Sequence, residues 1–83
     1  MAAARATLVV GAKSSGLSAA RLLRRLGERV FLTDDNGFPE QIPEGVEPVP
    51  APEAEERLAD VQQIVVSPGI PARHPLVRAA LSR

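Results

Sequence analysis

The chain has no cysteine, tryptophan or tyrosine, and it carries one histidine and two phenylalanines. Without cysteine it can form neither a disulfide framework nor a thiolate metal site, which is compatible with the cytoplasmic location that we expect. Ten basic and ten acidic side chains leave no net charge, so the basic excess of a nucleic-acid-binding protein is missing. The longest aliphatic runs, residues 8–10 and 64–66, are far too short to cross a membrane. We therefore expect neither nucleic acid nor a membrane as a partner.

What the sequence does contain is an alternation of strand and helix patterns. A continuous aliphatic run at residues 6–10 predicts a strand that is covered on both faces, as in a parallel sheet. Residues 29–33 and 63–66 predict two further strands. Residues 46–49 predict a short edge strand, because Pro48 cannot donate a hydrogen bond within a central one.

Helices are predicted between and after these strands. Residues 16–26 predict the first, with Gly27 placed to end it. Residues 52–59 predict a second helix, and a third begins at Pro75. The side chains expected to face the core are Leu17, Ala19, Ala20, Leu22, Leu23 and Leu26 in the first helix, Leu58 in the second, and Leu76, Val77, Ala80 and Leu81 in the third.

The order strand, helix, strand within a short span is that of a βαβ unit with a right-handed crossover. The sequence therefore predicts an α/β fold, with a Rossmann-like sheet of three or four parallel strands and helices on both faces. Because a parallel unit that ends on a helix expects one more strand, we expect the sheet to be completed by residues after Arg83.

The turn after the first predicted strand carries the strongest chemical signal. Gly11 and Gly16 match the first and third glycines of the dinucleotide-binding fingerprint, and Lys13 replaces the middle one. A helix that opens from such a turn directs its N–H groups and positive end at an anion. Ser14 and Ser15 could donate to phosphate oxygens, or one of them could cap the helix. Lys13 could contribute a charge or be a solvated loop residue, and the whole turn could bind nothing.

Polar residues also follow the strands predicted at residues 29–33 and 63–66. Asp34 ends the second strand, where it could accept from a ribose hydroxyl or a base N–H or simply form a turn, and Asp35 reads as a turn residue. Ser67 and Gly69 follow the third strand, where they form either the opposite wall of a ligand crevice or a strand terminator. His74 is the single histidine, and without a nearby pair of carboxylates we assign it no metal or base role.

Taken together, these stretches resemble the N-terminal domain of the Mur ligases over residues 7–81. The matching pattern is Val-Val-Gly-x-x-x-Ser-Gly-Leu-Ser-Ala-Ala, then a strand ending in Thr-Asp, then Ile-Val-Val-Ser-Pro-Gly-Ile-Pro-x-x-His-Pro. The last stretch is the more specific signal, and within the family it is most similar to the ligases that add D-glutamate.

The resemblance implies a cytoplasmic, three-domain ligase of peptidoglycan synthesis that depends on ATP and magnesium. Such ligases activate the substrate carboxylate as an acyl phosphate, which the amine of D-glutamate then attacks. Residues 1–83 would form the domain that holds the UDP end of UDP-N-acetylmuramoyl-L-alanine, with the central and C-terminal domains as further partners.

By the same likeness, specific residues would contact the UDP moiety. The expected set is Lys13, Ser14, Ser15 and Gly16 at the diphosphate, Asp34 and Asp35 at the uridine, and Ser67 with Gly69 beside them. Asn36 stands where a basic residue is common in the family, so it receives no role. The ATP loop, the metal ligands and the D-glutamate domain have no counterpart in these residues. We therefore expect no cofactor in this chain and no catalysis by it alone.

Two other functions stay open on the sequence. The chain could be the nicotinamide-dinucleotide domain of an oxidoreductase or a redox-sensing module, with Asp34 on the adenosine ribose. Lys13 in place of the middle glycine and the Ser-Pro-Gly wall argue against that function. Alternatively, the chain could be a structural or interaction fragment that binds no nucleotide.

Overall fold

The computed structural model describes residues 5–71 and 73–82. The strands are β1 (Ala6–Val10), β2 (Val30–Thr33), β3 (Val46–Pro48) and β4 (Val61–Val66), and the helices are α1 (Ser14–Arg25), α2 (Ala51–Arg57) and α3 (Pro75–Leu81). A 3-10 turn at Leu58–Asp60 joins α2 to β4. Among these described helices, none is both long and apolar enough to cross a bilayer.

All strands pair in parallel, in the spatial order β3-β2-β1-β4. β1 lies inside the sheet, and its last residue, Val10, pairs with Thr33 of β2 and Val66 of β4. Three strands therefore end level with one another, so the loops that follow them meet at one edge. The predicted parallel α/β fold is confirmed, including the edge strand β3 with Pro48.

The core has two layers because successive strand residues point to opposite faces of the sheet. On one face, Leu8, Val10 and Phe31 pack with residues of the α2 and α3 segments, namely Ala54, Leu58 and Leu76. On the other face, Val9 and Leu32 pack against α1 through Ala20, with Leu17 and Leu23 at the margin. Helices cover both faces, as predicted.

α1 begins at Ser14, two residues before the predicted start, and its apolar stripe is narrower than expected. Leu22 and Leu26 are 57% and 69% exposed, since the stripe that contacts the sheet is centred on Ala20. Gly27 ends the helix with a φ of +83°. The amide of Gly27 donates to Arg24 and that of Glu28 to Leu23, the Schellman pattern that the C-terminal glycine predicts.

The two edges of the sheet differ. β3 has three residues and one of them is Pro48, whereas β4 has six and no proline. α3 ends with Leu81 79% exposed rather than facing the core as predicted. The further strand expected after residue 83 stays a prediction.

Candidate functional site

A crevice of about 290 Å³ opens at the carboxyl ends of β1, β2 and β4. Parallel α/β sheets bind ligands outside this edge. Six of the predicted site residues line the crevice, namely Lys13, Ser15, Asp34, Asp35, Ser67 and Gly69. Ser14 is exposed in the first turn of α1, and Gly16 is buried beneath that turn. The structure thus brings the three predicted loops to one place.

Both glycines of the first loop are required by close packing. Gly11 has a φ of +111°, which glycine adopts without strain. A Cβ added to Gly11 would lie 2.5 Å from the hydroxyl oxygen of Ser67. A Cβ on Gly16 would overlap the carbonyl oxygen of Gly11. Gly16 therefore lets α1 press against the turn, and it can offer a ligand only its main chain.

The first turn of α1 presents main-chain donors to the crevice. Lys13 is the N-cap, with extended backbone and no side-chain capping bond, and its carbonyl accepts from Leu17. The amides of Ser14, Ser15 and Gly16 precede that first intrahelical bond, so the helix gives them no acceptor. The hypothesis that Ser14 or Ser15 caps the helix is wrong, because both lie within it. This arrangement suits an anion.

Asp34 connects two of the crevice walls. Its Oδ2 accepts from the amide of Ala12 at 2.7 Å, and its Oδ1 accepts from the amide of Asn36 at 2.7 Å. The second bond is the turn-forming role foreseen for this aspartate, while the first fastens the glycine turn to β2. Because each carboxylate oxygen can accept more than one hydrogen bond, these contacts leave Asp34 able to accept from a ligand.

Ser67 forms part of the wall that follows β4. Its amide donates to the carbonyl of Val10 at 3.0 Å, and its carbonyl accepts from Ile70 at 2.9 Å. Its hydroxyl is buried and has no hydrogen-bond partner among the described residues. Leaving such a group unpaired costs about 1–3 kcal/mol, so a ligand that reached it would gain a ready partner. Gly69 is exposed, and a Cβ there would meet nothing within 4 Å.

His74 and Asn36 also line the crevice, although no site role was predicted for either of them. The Nε2 atom of His74 lies 2.6 Å from Oδ2 of Asp35, and its Nδ1 accepts from the amide of Leu76 at 3.1 Å. The two paired residues are 39 positions apart, so spacing could not reveal the pair. A usable signal was the position of His74 just before Pro75 at a helix start, where a side chain can cap the helix.

A larger depression of about 470 Å³ lies along β4 at a distance from these loops. It is bordered by Arg5, Gln62 and Gln63 together with apolar residues of β4 and α3. Within residues 5–71 and 73–82, no group of three or more histidine, cysteine or carboxylate side chains could hold a metal ion.

Comparison with known proteins gives consistent matches. The family model described as "Mur ligase MurD-like, N-terminal domain" matches residues 5–83. A UDP-N-acetylmuramoylalanine--D-glutamate ligase of Streptococcus uberis is 39% identical over 83 residues, covering 92% of this chain and 18% of that protein. Ligases of the same name from Mycolicibacterium vanbaalenii and Geobacillus kaustophilus are 40% and 36% identical, covering 90% and 95% of this chain and 16% and 19% of theirs. The chain spans less than a fifth of the length of these relatives.

Proposed function

Because the chain belongs to the family of MurD-like N-terminal domains of the Mur ligases, we propose that its crevice binds the UDP moiety of UDP-N-acetylmuramoyl-L-alanine. The relatives are named for the addition of D-glutamate to UDP-N-acetylmuramoylalanine, a step of peptidoglycan synthesis. The observation that carries the proposal is the convergence of three loops, with different chemistry, on one crevice of about 290 Å³.

The diphosphate would lie at the first turn of α1. The amides of Ser14, Ser15 and Gly16 point out of the helix start, where the helix dipole adds a partial positive charge. Lys13 is exposed on the same wall and adds a full charge. An ammonium group acts on phosphate as a mobile point charge, so Lys13 would strengthen binding without fixing the geometry.

The uridine would lie between the other two loops. Asp34 and Asp35 supply acceptors for N–H and O–H groups, which a pyrimidine base and a ribose both present. Opposite them, the open space beside Gly69 leaves room for a flat ring against the main chain. Ser67 also lines the crevice. Its hydroxyl is buried against Gly11, so a rotation of the side chain would be needed for it to donate to an oxygen of the nucleotide.

The remaining chemistry of a ligase belongs to other parts of such a protein. The described residues hold no cluster of three or more histidine, cysteine or carboxylate side chains that could bind magnesium. We propose that the full-length ligase uses ATP and magnesium, and that central and C-terminal domains supply their sites. The present chain would then bind the substrate but not convert it.

Titration of the folded chain with UDP in a calorimeter tests the proposal. We expect saturable binding of one UDP per chain, and a parallel titration with NADH should give no heat of binding. Far-ultraviolet circular dichroism of the same sample shows that the chain is folded. Binding of NADH in preference to UDP would instead favour the nicotinamide-dinucleotide domain, and binding of neither by a folded chain would favour a structural fragment.

A further inference from the structure

The pair formed by His74 and Asp35 has a fixed direction of donation. Nδ1 of His74 accepts the amide hydrogen of Leu76 at 3.1 Å, so this nitrogen carries no proton. In a neutral imidazole the proton must then be on Nε2, which lies 2.6 Å from Oδ2 of Asp35. His74 therefore donates to the carboxylate while it caps α3.

This contact spans the crevice. Asp35 follows β2 and His74 follows the loop after β4, and these two strands flank β1 on opposite sides. The bond thus joins the two outer walls of the crevice above the end of the central strand. The histidine side chain is only 10% exposed, whereas that of Asp35 is 57% exposed. The imidazole is restrained because it is nearly buried. Its hydrogen bond then restrains the more exposed carboxylate of Asp35.

The bond occupies only one oxygen of the carboxylate. Asp35 lines the crevice and is exposed, so its Oδ1 can accept a hydrogen bond from a ligand. An unrestrained aspartate at such a site would lose rotamer freedom on binding, and fixing it beforehand removes part of that cost. The bond to His74 provides this restraint.

We propose that His74 is a positioning residue, which holds Asp35 so that its free oxygen accepts an N–H or O–H donor of the bound nucleoside. The proposal rests on the proposed binding of UDP. It assigns to the single histidine of the chain a function in ligand affinity that is separate from its function as a helix cap.

Two substitutions at this position separate those functions. In His74→Asn the side-chain oxygen can still cap α3, but the shorter side chain cannot reach Asp35. In His74→Gln the terminal amide can still donate to Asp35 in place of Nε2, but the acceptor that caps the helix is lost. The first variant keeps the cap without the positioning bond, and the second keeps the bond without the cap.

Calorimetry with UDP and thermal unfolding of each variant provide the readouts. His74→Asn should weaken UDP binding about tenfold, because Asp35 is no longer restrained before the ligand binds. Its Tm should also fall by a few degrees, since the lost bond to Asp35 stabilises the fold. His74→Gln should bind within about threefold of the unmodified chain but melt about 4–8 °C lower, as expected for a lost cap of about 1 kcal/mol. If both variants lose affinity in proportion to their loss of Tm, His74 is only structural and the proposal is wrong.

Nitrogen-15 NMR of the imidazole tests the proposal without any ligand. We expect the spectrum of a ring protonated on Nε2 alone, and we expect the Nε2 signal to shift in Asp35→Ala. A ring protonated on Nδ1, or one that does not respond to Asp35→Ala, would overturn the proposal even if UDP binds. If the unmodified chain shows no UDP binding, the proposed function fails and the positioning role fails with it.

Discussion

Two depressions on the described part of this chain, the one along β4 and the crevice at the strand ends, differ in the state of the polar groups around them. The larger, of about 470 Å³, is bordered by side-chain amides that are already bonded within the protein. Gln63 donates to Thr7 at 2.9 Å and Gln62 to Glu28 at 3.4 Å. The smaller, of about 290 Å³, is bordered by the first turn of α1 and by the exposed carboxylate of Asp35, of which one oxygen is bonded to His74.

From that difference we infer that the smaller crevice is the better candidate for a binding site. A ligand gains from groups that lack a partner before it arrives, because forming those bonds replaces none inside the protein. The smaller crevice offers the amides of the first turn of α1 and one oxygen of Asp35, which the fold brings to the same edge of the sheet. If those groups, rather than the concave shape, account for binding, variants that remove them should lose affinity for UDP.

The largest effect is expected from Gly16→Ala, which would force α1 away from the glycine turn. The new methyl group would overlap the carbonyl oxygen of Gly11, and overpacking of this kind costs about 3 kcal/mol or more when backbone must move. Urea denaturation would measure the loss. Gly69→Ala is the matched control, since a Cβ there meets nothing within 4 Å. Equal losses in the two variants would mean that α1 is not packed against the turn as described.

The next largest effect is expected from Asp34→Ala, which removes the acceptor for the amides of Ala12 and Asn36. Leaving these donors unpaired should lower the free energy of unfolding by about 2 kcal/mol, and UDP affinity should fall at least tenfold because the glycine turn loses its tie to β2. Asp60→Ala is the control, because that exposed aspartate has only a 4.0 Å contact with Arg57. A stable Asp34→Ala chain that binds UDP normally would contradict the assignment of this wall.

A smaller effect, confined to binding, is expected from Lys13→Ala. The side chain is exposed and makes no capping bond, so stability should not change. UDP affinity should fall about fivefold, the equivalent of about 1 kcal/mol for an exposed charge pair. Arg25→Ala removes the same charge at the far end of α1 and should leave affinity unchanged. Because salt screens exposed charges, the effect of Lys13→Ala should shrink as salt is added, and an effect that salt leaves intact would argue against a phosphate contact.

The smallest effect is expected from Gln62→Ala in the larger depression. The variant breaks one exposed hydrogen bond to Glu28, and UDP affinity should stay within about twofold, a change near the error of calorimetry. A marked loss of affinity would mean that the larger depression takes part in binding, and the comparison between the two regions would then be wrong.

Much of the fold could be predicted because it depends on local patterns. The aliphatic runs that became β1 and β2 are buried along their whole length, as strands covered on both faces require. β4 formed around the predicted run 63–66, but it is an edge strand that begins at Val61 and exposes Gln62 and Gln63. Gly27 ends α1 with positive φ, as its position suggested. The edge strand β3 also formed where Pro48 predicted an edge. Each of these features is decided by residues that are close together in the sequence.

The features that were predicted wrongly or missed depend on contacts between residues that are far apart in the sequence. Leu26 fits the helical period but stands beyond the last turn of α1, and it is exposed. The bond between His74 and Asp35 joins residues 39 positions apart, and the contact of Ser67 with Gly11 depends on how β4 pairs with β1. The sequence could predict which loops form the crevice, but not which of their polar groups are already paired.

The central claim is that UDP binds at the first turn of α1. A titration of the ¹⁵N-labelled chain with UDP, followed by amide NMR shifts, tests it most directly. The account predicts progressive, saturable shifts of the amides of Ser14, Ser15 and Gly16, with smaller shifts at Asn36 and Gly69. Shifts confined to Gln62 and Gln63 beside the larger depression, or no shifts in a folded chain, would contradict it.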